Sequence, residues 1–171
     1  MVWSAAPEYY SCLRADHESA LNFIQGQLCV PFSELAQLWL LTDGSDEIGL
    51  VAGVAAENIV KARYGALLAA TRGLSKQDQS SIFHQMKIHA ARVQPFSDAG
   101  FYLSRIAVHP AKQRCGFGHT LLDRLFQITK KEPVYLHVNC DNRSVVQFYE
   151  AEGFRRIPSA EHYDFQVWVH G

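Results

Sequence analysis

A chain of 171 residues is long enough for one domain with a proper core, and 48% hydrophobic against 19% charged residues excludes a disordered chain. Sixteen basic and seventeen acidic side chains leave a formal charge of −1, so no bulk field draws in nucleic acid or an anionic membrane surface. Any anion site must therefore be local, built from a few side chains or from the backbone.

The four cysteines, Cys12, Cys29, Cys115 and Cys140, show neither C-x-x-C pairing nor regular spacing. That argues against a zinc site or a disulfide framework and suits a reducing, cytoplasmic setting. Met1 to Glu8 has no basic segment and no long apolar core, so no signal peptide is expected. The apolar runs fall well short of the ~20 residues of a membrane span.

In chain order, Tyr9 to Leu13 reads as a short strand, and Asp16 can cap a helix with apolar residues at Ala20, Leu21, Ile24 and Leu28. Pro31-Phe32-Ser33 interrupts it, and Ser33 is expected to cap another short helix. Leu38 to Thr42 and Ile48 to Ala56 read as strands joined by the turn cluster Asp43-Gly44-Ser45-Asp46. Within Lys61 to Ala99, two helices are expected: Ala62 to Ala70, and Ser80 to Val93 with its apolar stripe Ile82, Phe83, Met86, Ala90 and Val93. His84 and His89 lie five apart, not at the i, i+4 spacing of a helical metal pair, and read as surface histidines. No linker, repeat or low-complexity segment divides the chain, so residues 1–171 read as one α/β domain with a partly parallel sheet.

The most informative stretch is the strand Tyr102 to Val108, the pair His109-Pro110, and the turn Gln113-Arg114-Cys115-Gly116-Phe117-Gly118 leading into a helix from His119 to about Thr129. Strand, glycine turn and helix present unsatisfied backbone N–H groups and the positive end of a helix dipole to an anionic phosphate. No Lys-Ser/Thr follows, so a Walker-type nucleotide loop is not expected, and the spacing differs from the dinucleotide fingerprint. A second unit follows: the strand Pro133 to Val138, the cluster Asn139-Cys140-Asp141-Asn142, and a helix from Ser144 to Glu152 closed by Gly153-Phe154.

The order strand, Q-x-x-G-x-G, helix, strand, N-x6-Y-x3-G-F, spanning about Phe101 to Phe154, resembles the GNAT superfamily of acetyl-CoA-dependent N-acetyltransferases. The resemblance implies a central mixed, twisted sheet with splayed middle strands, flanked by helices. It also makes Lys61 to Ala99 longer than the connection expected there, a helical insertion. Shaping acceptor recognition is one role expected of it, with His84, Gln85 and Lys87 as rim candidates; an assembly surface and an ornament that merely covers one sheet face stay open beside it.

By the same resemblance, the backbone amides of Gln113, Arg114, Cys115, Gly116, Phe117, Gly118 and His119 would hold the pyrophosphate of acetyl-CoA. The strand at Ile106, Ala107 and Val108 would pair with its pantetheine arm and aim an amide at the thioester oxygen. Asn142 would cap its helix and contact that arm. Tyr149 would protonate the departing thiolate, a role suited to a phenol of pKa near ~10. His137 stands where the ribosomal-protein N-terminal acetyltransferases carry a glutamate and would act as general base. Glu57, Asp98, Tyr102 and His109 are further candidates for that role. Direct transfer to a primary amine, of a small molecule or a protein, is the implied reaction, and an acetyl-Cys140 route is the less expected one.

Two other functions stay open: a non-catalytic acetyl-CoA-binding regulatory module, and an RNA-directed acetyltransferase, since Leu103 to Pro110 is similar to the matching strand of tRNA cytidine acetyltransferases. The absence of a basic excess argues against the latter. The expected partners are thus a small-molecule or peptide amine, with no nucleic acid, membrane or metal. The acceptor's identity and the assembly state, a homodimer included, stay undetermined.

Overall fold

The structure, a computed structural model, describes residues 1–2, 10, 17–31, 33–96, 98–130 and 132–171. The expected strand at Tyr9 to Leu13, apart from Tyr10, and the Asp16 cap lie outside the described residues. The elements run α1 (His17–Cys29), β1 (Gln37–Asp43), β2 (Asp46–Ala55), α2 (Ile59–Thr71), α3 (Lys76–Ala91), β3 (Phe101–Val108), α4 (Phe117–Ile128), β4 (Val134–Asn139), α5 (Arg143–Ala151), β5 (Arg155–Arg156) and β6 (Phe165–His170). Short 3-10 turns at Ala56–Asn58 and Pro110–Lys112 follow β2 and β3. Among the described residues, no helix is long and apolar enough to cross a membrane.

The six strands form one mixed sheet in the order β1-β2-β3-β4-β6-β5. Neighbours are antiparallel except β3 and β4, which run parallel because α4 carries the chain back across the sheet. Helix α4 forms and docks for a simple reason: Leu121, Leu122 and Leu125 share one face and are almost wholly buried. Each buried leucine contributes about 1.5–3 kcal/mol. They meet Val51, Leu103, Leu136, Val138, Phe154 and Trp168 on one side of the sheet. On the other side, Phe23 and Ile24 of α1 and Leu67 of α2 close a second core with Leu35 and Ala52.

Two irregularities position the site. Strands β3 and β4 pair only at Phe101↔Val134 and Tyr102↔Tyr135, then part, so the middle of the sheet opens. Between β2 and β3 the register slips: Ala52 faces Arg105 but Gly53 faces Leu103, leaving Ser104 as an extra residue in β3. A Cβ on Gly53 would be driven into the carbonyl of Tyr102 and the ring of Phe101, so only glycine tolerates the close approach at this bulge.

Strands β2 and β3 are sheet neighbours of the kind a hairpin normally joins, yet α2 and α3 stand between them. Both expected helices of that stretch are present: α2 extends past Ala62 to Ala70 at both ends, whereas α3 starts before Ser80 and ends at Ala91, short of Val93. Ser75 caps α3 by accepting from the Asp78 amide at 3.2 Å. Ser33 is a correction. It caps no helix; its hydroxyl accepts from the Leu35 amide at 3.1 Å in a local turn that leads straight into β1.

Candidate active site

The parting of β3 and β4 opens a cleft of about 640 Å³. Leu103 to Val108 line one wall and Leu136 to Asn139 the other. Beyond Val108 the chain turns tightly. His109 accepts from the Ala111 amide at 3.3 Å, and the Gln113 carboxamide donates to the Val108 carbonyl at 3.2 Å. Arg114 (φ 62°) and Gly116 (φ 83°) both take the left-handed conformation. Helix α4 therefore starts two residues before the expected His119, with Gly116 as its N-cap and no side-chain cap.

The first amide to find a helical acceptor is that of Thr120, bonded to the Gly116 carbonyl at 3.2 Å. The amides of Arg114 to His119 have no acceptor among the described residues. That row of donors is what a diphosphate requires, and the positive end of the helix adds to it. Gln113, Arg114, Gly116, Phe117, Gly118 and His119 all line the cleft, whereas the exposed Cys115 does not. His119 pairs through Nδ1 with Glu152 Oε1, and its ring lies 5.5 Å from that of Phe148. Gly118 packs against Phe148, leaving no room for a larger residue without displacing that ring.

Asn142 caps α5, accepting from the Val145 amide at 3.3 Å and the Ser144 hydroxyl at 3.0 Å, and it lines the cleft. Tyr149, on the face of α5 turned to the sheet, is buried and lines the cleft from the α4–α5 side. Its hydroxyl has no hydrogen-bond partner among the described residues. Burial, with Tyr102 nearby, pushes the phenol well above its ordinary range, so it stays protonated as an acid must.

The opposite face of the sheet brings together residues that sequence left scattered. His137 Nε2 donates to the Gln94 carbonyl at 2.7 Å, because a carbonyl can only accept. Nδ1 is therefore the acceptor, and the Tyr102 hydroxyl donates to it at 2.9 Å. Tyr102 in turn accepts from Arg63 Nη2 at 2.8 Å, while Arg63 Nε donates to Glu34 at 2.8 Å. Glu34 is 2% exposed at its side chain; burial would raise its pKa, but Arg63 and Arg105 hold it below its ordinary value. Ser104, the bulge residue, donates to the Glu34 and Ala52 carbonyls and ties this corner to the sheet.

Of the other base candidates, Tyr102 lines the cleft and Glu57, Asp98 and His109 do not. Cys140 lies outside it, in a separate groove with Trp168 and Arg156, and burial raises its thiol pKa. The stretch between β2 and β3 reaches the cleft through Arg63, His89 and Val93, not through His84, Gln85 or Lys87.

Burial, followed by the nearby Arg63 cation, lowers the His137 pKa from 6.5 to about 4. The folded imidazole thus refuses a proton that the unfolded one accepts between these values. Stability is intact above pH ~6.5 and falls as pH drops towards ~4, by up to about 3 kcal/mol from this residue. Denaturant titrations at pH 7 and pH 5 should show His137→Gln losing about 2 kcal/mol less than wild type over that interval. Parallel losses would mean that His137 is not held neutral.

Comparison with known proteins agrees with this geometry. Residues 78–156 match the family model described as an acetyltransferase (GNAT) domain. The chain is 31% identical over 98 residues to the N-alpha-acetyltransferase RimI of Mycobacterium tuberculosis, across 57% of this chain and 52% of that protein. It thus spans about half the length of that relative. Among solved structures it is similar to an N-acetyltransferase from Staphylococcus aureus Mu50, with a TM-score of 0.65 and 16% identity, covering 98% of this chain and 94% of that one. Arabidopsis thaliana Naa50, solved with the bisubstrate analogue CoA-Ac-MVNAL, superposes with a TM-score of 0.50 and 13% identity over 92% of this chain and 95% of that one. Residues 78–156 thus resemble a GNAT acetyltransferase domain, and the whole chain shares its fold, a mixed sheet with parted central strands, with the Staphylococcus aureus N-acetyltransferase.

Proposed function

We propose that the chain transfers an acetyl group from acetyl-CoA to a primary amine by direct attack in a ternary complex. The observation that carries this reading is the cleft itself. It joins a row of unsatisfied amides, a length of β3 unpaired on its β4 side, a protonated phenol on one face and a hydrogen-bonded Tyr102–His137 pair on the other.

The residues present suit acetyl-CoA. The amides of Arg114 to His119 would bind its diphosphate, and the edge of β3 at Ile106, Ala107 and Val108 would take up its amide-bearing arm, with Asn142 beside it. Acetyl-CoA supplies the activated acetyl group and a thiolate leaving group. Tyr149 holds its proton in the cleft for that sulfur. Tyr102 and His137 take the proton that the amine must lose. As the C–N bond forms, the amine N–H becomes far more acidic than in the free ammonium. Its proton passes to Tyr102 Oη while the Tyr102 proton passes to His137 Nδ1. The positive charge then rests on the imidazolium until water removes the proton.

The curated relative is named an N-alpha-acetyltransferase, which favours the α-amine of a peptide as acceptor. Release of free CoA, measured with peptide α-amines, lysine-containing peptides and small amines, tests the proposal. Amine-dependent release, fastest with peptide α-amines, is expected. Tight acetyl-CoA binding with no amine-dependent release would make the chain a sensor instead.

A further inference from the structure

We infer that Arg63 is a positioning residue of the reaction, fixing the direction of the proton path through Tyr102 and His137. This rests on the proposed acetyl transfer and on the use of that pair as proton acceptor.

The argument is one of donors and acceptors. A guanidinium only donates, and Arg63 spends one N–H on Glu34 and another on the Tyr102 oxygen. With one of its lone pairs so engaged, Tyr102 turns its own proton to His137 Nδ1, while the other imidazole nitrogen is committed as a donor to the Gln94 carbonyl. Every hydrogen bond in the row Arg63, Tyr102, His137, Gln94 therefore points the same way. The Tyr102 oxygen keeps one lone pair for an incoming proton, and His137 keeps Nδ1 ready for the outgoing one. The Arg63 charge also stabilises the oxygen while it is between protons.

The two ends of this row come from the stretch between β2 and β3. Arg63 lies on α2, and Gln94 follows α3. Gln94 is itself clamped, its carboxamide oxygen accepting from the Val167 amide at 3.0 Å and its nitrogen donating to the Ile157 carbonyl at 3.4 Å. The isolated bridge Val93↔Phe165 and the Arg92–Asp164 ion pair at 2.5 Å anchor the same end of α3 to β6. What looked like an addition to the domain thus supports the proton acceptor from both sides.

The titratable and charged groups that act on His137 among the described residues are Tyr102 from β3, Arg63 from α2, Glu34 from the turn before β1, and His89 from α3. Arg63 opposes protonation of His137 more strongly than Glu34 favours it. Removing the Arg63 charge should therefore raise the His137 pKa and move the acid limb of the kcat/KM profile to higher pH.

The test compares wild type with Arg63→Met, in which Arg105 still faces Glu34, with Arg63→Lys, and with the double variant Glu34→Gln/Arg63→Met, which removes both charges of the Arg63–Glu34 pair. Arg63→Met and the double variant should lose about tenfold or more in kcat, the scale on which outer partners of a reacting group act. Their KM for acetyl-CoA should be unchanged and their acid limb displaced upward. Arg63→Lys keeps the charge but not the fork, so its acid limb should stay in place with an intermediate kcat. Imidazole ¹⁵N shifts should report His137 protonated at Nε2 in wild type. A folded double variant with wild-type kcat and an unmoved acid limb overturns the inference. Should neither Met variant fold, Arg63→Lys with wild-type kcat overturns it as well. Tyr102→Phe and His137→Gln separate the two levels: undiminished kcat in both defeats the proton-acceptor reading itself, whereas losses there beside intact Arg63 variants defeat only the role of Arg63.

Discussion

Replacing Tyr149 by phenylalanine is expected to lower kcat by about 10²–10⁴-fold while leaving acetyl-CoA affinity nearly unchanged. The residue sits among Phe148 and Phe154, with ring centroids 5.2 and 5.3 Å away, so the substitution keeps the aromatic packing that holds α5 on the sheet. The hydroxyl has no hydrogen-bond partner among the described residues, so its loss strands no buried donor or acceptor. Thermal stability should stay level or rise slightly. This combination separates a catalytic hydroxyl from a packing aromatic. Single-turnover measurement of the chemical step, with cofactor binding followed by calorimetry, reads both quantities. A variant that keeps most of its single-turnover rate would return Tyr149 to the core.

A second large effect is expected at the cradle. Gly116 adopts φ 83°, and a Cβ built there meets nothing within 4 Å, so Gly116→Val would not clash with the folded chain. The cost arises in the backbone: a β-branched residue resists the left-handed conformation by about 1–3 kcal/mol, and relaxing it turns the following amides away from a common focus. Losing even one or two hydrogen bonds to a charged diphosphate removes roughly 1.5–3 kcal/mol each. Together these predict acetyl-CoA affinity weaker by about 10²-fold or more, with a cooperative unfolding transition retained. Calorimetry on the folded variant decides it, and undiminished affinity would move the phosphate site elsewhere.

These two residues were legible in the sequence because their signals are local. Gly116 stands in one continuous strand–turn–helix pattern, Tyr102 to about Thr129, and Tyr149 lies seven residues after the helix cap Asn142. The same holds for β3, β4, α4 and α5, whose expected bounds differ from the observed ones by only a residue or two at most ends. The row Arg63, Tyr102, His137, Gln94 was not legible as a unit. Its hydrogen bonds join residues 39, 35 and 43 positions apart, and no periodicity encodes such separations. His137 and Tyr102 stood out singly by residue type, whereas Arg63, Glu34 and Gln94 carried no signal at all. Gly53, placed in the middle of an apolar strand, was the one available hint of the bulge that Ser104 creates. Ser33 misled for a related reason: the same hydroxyl that caps helices also closes short turns, and only the chain beyond it decides which.

The early parting of β3 from β4 has a consequence for the chain without its substrate. Strand edges are ordinarily found at the rim of a sheet, where they invite other chains to pair. Here an edge lies in the interior, flanked by β4 and roofed by α4 and α5, so a foreign strand cannot reach it but a narrow, amide-bearing arm can. Acetyl-CoA would then act as a missing strand, and its arrival should be felt far from the diphosphate. Amide hydrogens of β3 and β4 that face the gap beyond Tyr102 and Tyr135 should exchange rapidly in the free chain and slow sharply on binding, while those paired with β2 and β6 stay protected. The melting temperature should climb with the logarithm of ligand concentration.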